Sequence, residues 1–455
     1  MYCNKCGKKL ENQGKFCPRC GAKINIAVTN GSKYEDIQKY KEQGRKNVIL
    51  KVLIGVVLVL AISGGIFIVS KLLDVEQYFA CVQDENMKFG FIDKAGNEVI
   101  KCQYDMVGDF SNFDNTLAAV GRKIGESDDG TALYEWGFID KTGEMVIPYQ
   151  FDEVGPKVSE NAVPVAKREN INGTVIYKWG FIDKTGRLII PYEYSGFIWD
   201  YSSTVLDNQS LIGVQKKIDI NGEEVEKWGF INEKNETIVE FLYDVVTPFC
   251  KEGLAAAEKD GLCGYIDMNG EEVIPFKFLI AGTPGKDGKA IVLDENNQYG
   301  IIDKNGEIVS YLENQEDNTG YIDDCFMENG LSRIWREAGD VYYVGLVDEN
   351  GKEIVPCEYQ YIKDPDVNGY MTVSKEKGGD SLYGLMNSEG EMVIPLHYDK
   401  MSGFDENGWS VVGMRRSDSE KDNERYYCKY INKDDQVTLE LSDKYINAWA
   451  FIRVN

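Results

Sequence analysis

Four cysteines near the start of the chain carry the clearest chemical signal. Cys3-Asn4-Lys5-Cys6-Gly7 is followed, after a ten-residue gap, by Cys17-Pro18-Arg19-Cys20-Gly21. Two CxxC pairs at this spacing can converge on one tetrahedral site of four thiolates, soft ligands suited to Zn²⁺. Iron is the alternative metal. The glycine after each pair permits the tight backbone turn back toward the metal. Residues 1–24 are too few to bury a core. Metal binding would therefore supply their folding energy, on the order of 10 kcal/mol. Four protein ligands leave no open position, so the site reads as structural rather than catalytic. A disulfide or redox CxxC is the competing use, and a cytoplasmic placement argues against it.

This head resembles the short zinc-ribbon domains at the N-termini of many bacterial membrane proteins. The resemblance covers residues 1–24 and includes all four ligand positions.

Other chemistry is thinly supplied. The chain has a single histidine, His397, which all but removes histidine-based catalysis. Its default role is structural. Acidic turns such as Asp267-Met268-Asn269-Gly270-Glu271 and Asp303-Lys304-Asn305-Gly306-Glu307 invite a calcium reading, but neither supplies the further spaced oxygens and distal glutamate of a calcium loop. A hairpin turn is the simpler explanation. Carboxylate pairs suitable for glycoside hydrolysis are guaranteed by chance among so many acids, and no serine sits in a G-x-S-x-G elbow. Cysteines 81, 102, 250, 263, 325, 357 and 428 are scattered and odd in number, which argues against a disulfide framework. They read as small buried apolar groups. Trp199, Trp335 and Trp409 are candidate sugar-stacking platforms, although core packing is the commoner use of such residues.

Charge divides the elements that must position these groups. The 455 residues hold 50 Lys+Arg and 75 Asp+Glu, a net of −25. Residues 1–46 carry eleven Lys/Arg and four Asp/Glu, whereas residues 74–455 carry 37 and 71. A small basic head thus precedes a large acidic body, and no nucleic-acid partner is expected for that body. Between them, Val52 to Val69 is free of charge, and residues 47–73 read as one transmembrane helix. Lys51 is placed to snorkel. A cleaved signal peptide would need a far shorter leader than 46 residues. The excess of Lys/Arg before the span predicts a cytoplasmic head and an extracytoplasmic body at the cell membrane. Residues 25–46 form a polar basic linker. Its Lys39, Lys41, Arg45 and Lys46 act as a positive-inside stop or lie on anionic lipid.

The body, residues 74–455, is repetitive. EWGFIDKTGEMVIP from Glu135, KWGFIDKTGRLIIP from Lys178 and LCGYIDMNGEEVIP from Leu262 are three of eight clear copies, and a degenerate ninth starts at Cys428. The first glycines are Gly90, Gly137, Gly180, Gly229, Gly264, Gly300, Gly345 and Gly384. A glycine recurs six residues later in every copy except the one with Asn235. An aromatic stands fourteen residues after the first glycine in seven copies; the sixth has Asn314. Trp-Gly-Phe places two aromatics on one strand face. Asp-Lys-x-Gly makes a turn with positive φ at its last residue. The Val-Ile strand that follows is expected to stop at a proline in five copies. A small apolar strand such as Leu117-Ala118-Ala119-Val120 precedes each copy. Each unit is therefore an antiparallel meander of three or four strands. Spacing between copies varies, and that variation is expected to fall in connecting loops, including Gly121 to Glu135 and Lys167 to Thr174, where binding usually resides.

Trp136-Gly137, Trp179-Gly180 and Trp228-Gly229 carry the dipeptide by which these copies resemble the WG (KWG) repeat family of bacterial proteins. The resemblance spans residues 78–440 and implies repeats without a general enzymatic activity. The expected architecture is mainly β, either a propeller-like ring or an open β-solenoid. Tyr78–Val82 and Ala448–Ile452 read as end strands that close a ring or cap a solenoid. The functional expectation is a non-catalytic, membrane-anchored scaffold that binds a protein partner, with cell-wall glycan binding as the alternative and an envelope hydrolase as a third class.

Overall fold

The computed structural model describes residues 76–455, apart from 114, 128–129, 160, 172–173, 199–210, 251, 286–287, 313–319, 323–325, 328, 340 and 418–424. The cysteine quartet, the linker and the expected span at 47–73 lie outside the described residues. Among the described residues no helix is long and apolar enough to cross a membrane.

The body is a ring of nine four-stranded antiparallel sheets, a nine-bladed β-propeller. Blade 3 shows the plan. Glu153–Val154 pairs with Val163–Ile171, which pairs with Thr174–Ile182, which pairs with Leu188–Tyr194. The strand over Tyr445–Val454 supplies the missing first strand of blade 1 by pairing with Gln77–Asp84. Thus the two end strands expected from the sequence close a ring and do not cap a solenoid. Blade 9, built on Tyr426–Ile431, is the degenerate copy.

The repeat motif explains both the blade and its neighbour contact. Trp179 and Phe181 face one side and are buried with Ile190, Tyr194, Phe197 and Val214. Between them Gly180 faces the fourth strand, whose register slips so that Trp179 meets Tyr194 while Phe181 meets Ile190. The extra residues form a bulge, and a Cβ on Gly180 would lie 2.7 Å from the Ile190 carbonyl oxygen. The same clash recurs at Gly90, Gly137, Gly229, Gly264, Gly345 and Gly384. Contrary to the expectation from the sequence, proline therefore does not end this strand. Leu188–Tyr194 continues through Pro191, which sits in the bulge, where a ladder N–H is not required.

The turn glycine joins blades. Gly96 has φ +79°, and a Cβ there would lie 3.3 Å from Leu439 of blade 9. Gly143 meets Ile100, Gly186 meets Ile147 and Gly270 meets Val239, each on the preceding blade. Where the glycine is replaced, its successor is held by the preceding blade's aromatic. Tyr194 Oη donates to Asn235 Oδ1 at 2.6 Å, and Tyr398 Oη donates to Asp435 Oδ1 at 2.6 Å. The fourteenth-position aromatic is thus a blade-to-blade contact as well as a core residue.

Candidate functional site

Antiparallel strands alternate direction, so each blade presents its second-to-third-strand hairpin on one face of the ring. The Asp-Lys-x-Gly turn and the loop between first and second strands lie on the other. That second face is tied across blades. Ser159 donates to Glu233 at 2.7 Å, Lys289 pairs with Glu349 at 3.1 Å and Asn329 donates to Ser388 at 3.3 Å.

The hairpin face is uneven. In blades 2, 3 and 4 the hairpins run over Leu117–Glu126 with Ala132–Asp140, Val163–Ile171 with Thr174–Ile182, and Ile212–Ile220 with Glu223–Ile231. Their strands have nine or ten residues, against four to eight in the other six blades. The segments expected as binding loops, Gly121 to Glu135 and Lys167 to Thr174, are mostly these strand extensions. A recognisable signal was present: Asn172-Gly173 and Asn221-Gly222 follow Ile171 and Ile220, and Asn-Gly between alternating apolar residues marks a two-residue hairpin. Asn221 and Gly222 indeed both have positive φ, 57° and 89°.

The three hairpins lean on one another. Tyr134 packs against a cluster containing Val163 and Val165 of blade 3, and Tyr177 of blade 3 shares a cluster with Ile218 of blade 4. Their outer ends carry exposed aliphatic residues: Ile124 at 51%, Ile171 at 49% and Ile220 at 43%. A crest of three adjacent hairpins with apolar tips thus stands on one face.

The residues singled out for chemistry are not assembled into a catalytic centre among the described residues. His397 lies in the strand Met392–Tyr398, with Nδ1 2.9 Å from the Pro395 carbonyl oxygen and Nε2 3.4 Å from an Asp435 oxygen. A carbonyl only accepts, so Nδ1 carries the hydrogen. Asp267 and Asp303 cap their own turns: Asp303 Oδ1 accepts the N–H groups of Asn305 at 2.9 Å and Glu307 at 3.0 Å. No group of three or more potential metal ligands occurs among the described residues. Trp335 and Trp409 are half-buried against the cores of blades 7 and 9, and Trp199 lies outside the described residues. Cys81, Cys102, Cys250, Cys263 and Cys357 are half-buried, and Cys428 is buried; Cys325 lies outside the described residues. Burial pushes the Cys102 thiol up to about 12 and the Cys428 thiol up to about 11, so neither is poised as a nucleophile. A depression of about 330 Å³ beside blade 1 is lined by Asp84, Glu98, Lys101 and Lys444 among others. Glu98 and Lys444 pair at 2.5 Å, and Asp84 Oδ1 caps its own turn.

No curated protein matches the chain in sequence. Among solved structures, a eukaryotic initiation factor superposes with TM-score 0.52 at 11% identity, covering 82% of this chain and 98% of that one. Dipeptidyl peptidase 4 of Porphyromonas gingivalis reaches 0.44 at 8% identity, over 81% and 58%. The propeller domain of the Trilobed protease of Pyrococcus furiosus reaches 0.33 at 12%, over 70% and 94%. The first of these supports the fold alone. The WG containing repeat matches seven times, at residues 89–120, 136–169, 179–203, 228–263, 264–297, 345–377 and 383–414. These matches run from blade 1 to blade 9, and the chain belongs to the WG containing repeat family.

Proposed function

We propose that this WG-repeat propeller is a non-catalytic interaction scaffold that binds a protein partner at the cell envelope through the crest of blades 2–4. The observation that carries this reading is the crest itself. Among the described residues, only these three consecutive blades lengthen their hairpins to nine or ten residues per strand, and they present Ile124, Ile171 and Ile220 to solvent. Apolar tips on a rigid β framework match how binding surfaces are built on repeats. The membrane anchor at 47–73 and the zinc ribbon on Cys3, Cys6, Cys17 and Cys20 belong to the same proposal. The basic flank supports a cytoplasmic ribbon and an extracytoplasmic ring, which would let partner binding be relayed inward.

The test uses the full chain in its native membrane, with chemical cross-linking and recovery of joined envelope proteins. The variant Ile124→Asp/Ile171→Asp/Ile220→Asp changes only exposed tips and leaves the blade cores intact. A discrete partner recovered with the natural chain and lost with the variant supports the scaffold. Equal recovery removes the crest from binding. Saturable association with isolated cell wall, unaffected by the triple change, moves the reading to glycan binding.

A further inference from the structure

The seam between blades 9 and 1 brings together a lysine, an asparagine and a buried carboxyl. Lys94 lies in the Asp-Lys-x-Gly turn of blade 1, and its Nζ donates to Oδ1 of Asn407 in blade 9, 313 residues away. The Nζ sits 3.7 Å above the centre of the Tyr78 ring and 5.9 Å from that of Trp409. Asp405, two residues before Asn407, is only 7% exposed. Its Oδ1 accepts the N–H groups of Asn407 at 2.7 Å and Trp409 at 3.0 Å. The Asn407 side chain and the backbone N–H of Phe451 also act on this carboxyl and favour its charged form. The other oxygen, Oδ2, is buried and makes no hydrogen bond of ordinary geometry.

A buried carboxylate oxygen without a hydrogen bond of ordinary geometry is costly and calls for a reason. Turn capping does not supply one, because Oδ1 does all of it. Burial, partly offset by these hydrogen bonds, raises the Asp405 pKa and so favours its acid form more than at an exposed aspartate. A carboxyl able to take up and return a proton therefore stands beside an amide whose oxygen is already held by an amine.

We propose that Lys94 and Asn407 become joined by an amide cross-link, with Asp405 carrying the proton. A proton passes from Lys94 Nζ to Asp405 Oδ2 and frees the nitrogen lone pair. Nζ attacks Cγ of Asn407, and the new C–N bond forms. The protonated Asp405 returns its proton to Nδ2, the Cγ–Nδ2 bond breaks and ammonia leaves. The lysine's remaining extra proton goes to solvent, Asp405 ends as it began, and no oxidant or co-reactant is consumed. The Tyr78 and Trp409 rings flank the amine, limit its access to water and hold it over the amide, so the reaction needs positioning and little else. The product covalently closes the propeller at the point where its first and last blades meet. This inference is independent of what the crest binds.

The experiment is intact mass measurement of the full chain, denatured after purification, followed by proteolytic mapping. The expected result is a chain lighter than its sequence by one ammonia and a single branched peptide containing Lys94 and Asn407. Lys94→Arg and Asp405→Asn should each restore the full sequence mass; the second keeps an oxygen to cap the turn. Asn407 precedes Gly408, and an Asn-Gly pair can also lose ammonia by closing on its own backbone. Ammonia loss that survives Lys94→Arg is that side reaction and overturns the proposal. So does a natural chain of full mass, or a cross-link at the neighbouring seam pair, Lys400 and Asn447, in place of Lys94. Because the mass of the natural chain decides the question, the result stands even where a variant folds poorly.

Discussion

The aspartate that opens the repeated turn is a cap, and this gives the propeller an acid-sensitive component. Asp267 Oδ1 accepts the N–H groups of Asn269 at 2.8 Å and Glu271 at 2.9 Å. Burial alone would raise its pKa, but the backbone donors outweigh burial and hold the carboxyl below its ordinary range. The same balance and direction hold at Asp183 and Asp294. A group depressed in the folded chain stabilises it above the unfolded pKa of about 3.9, and that stability is lost as pH falls through the folded value. Asp366 and Asp405 run the other way, since burial raises both, and each destabilises as pH rises through its folded value. Asp267→Asn keeps an oxygen acceptor but cannot titrate. Its thermal midpoint should be lower than that of the natural chain at neutral pH, and the gap should shrink as the buffer is taken toward about pH 3. A constant gap would show that the depressed pKa has no bearing on stability. At the same scale, the cysteine quartet predicts one zinc ion per chain in the purified protein, lost on Cys17→Ser with the propeller's thermal unfolding unchanged. Metal content unaffected by that substitution would remove the ribbon.

At the scale of the element, Trp-Gly is a bulge requirement. Gly180 needs no positive φ; it is small because the fourth strand folds over it, with the Ile190 carbonyl oxygen 2.7 Å and the Pro191 carbonyl carbon 3.0 Å from an added Cβ. Backbone atoms cannot swing aside as a side chain can, so Gly180→Ala should cost roughly 2–3 kcal/mol, read as a drop in the denaturant midpoint. Gly300→Ala should cost much less. Its nearest neighbour is a movable methyl of Ile308 at 3.3 Å, because blade 6 pairs Gly300 directly with Tyr311. Equal losses would mean that the bulge is not what selects glycine. These two positions also show what the sequence made legible. The strand, turn and aromatic periods follow from alternation and turn chemistry, which are local. Pro191 reads as a strand end because it lacks an N–H, and the bulge that accommodates it shifts the pairing without ending the strand. Gly121 to Glu135 and Lys167 to Thr174 read as loops because the polar faces of these hairpin extensions in blades 2 and 3 resemble linker composition. The Lys94–Asn407–Asp405 cluster was illegible, because it depends on a contact between residues 313 positions apart.

For the whole molecule, the decisive event is closure. Eight blades take all four strands from consecutive sequence, whereas blade 1 waits for Tyr445–Val454. Until that strand docks, Gln77–Asp84 is an open sheet edge, a ready template for intermolecular pairing. The structure secures the docking with Arg416, a guanidinium only 7% exposed at the end of blade 9. Its Nη2 donates to the carbonyl oxygens of Asp443 at 2.6 Å and Tyr445 at 2.8 Å, just where the last strand begins. Its Nε donates to Tyr426 at 3.2 Å, and Nη1 pairs with Glu85 of blade 1 at 3.3 Å. One side chain thus fastens blade 9, the closing strand and blade 1 together. Arg416→Met retains much of the packing but strands three carbonyls, and it should cost roughly 2–4 kcal/mol. The loss should be local in effect. Hydrogen exchange should quicken first along Tyr445–Val454 and Gln77–Asp84, while the middle blades, such as Glu272–Phe278, keep their protection. Uniform acceleration around the ring would mean that the propeller opens as one unit and that closure has no weak point. If Lys94 and Asn407 are covalently joined, the exchange in Arg416→Met should stay confined to the seam. Adding Lys94→Arg should then spread it into blades 9 and 1 and lower the protein concentration at which the chain aggregates, because the open edge is no longer tethered beside its partner strand.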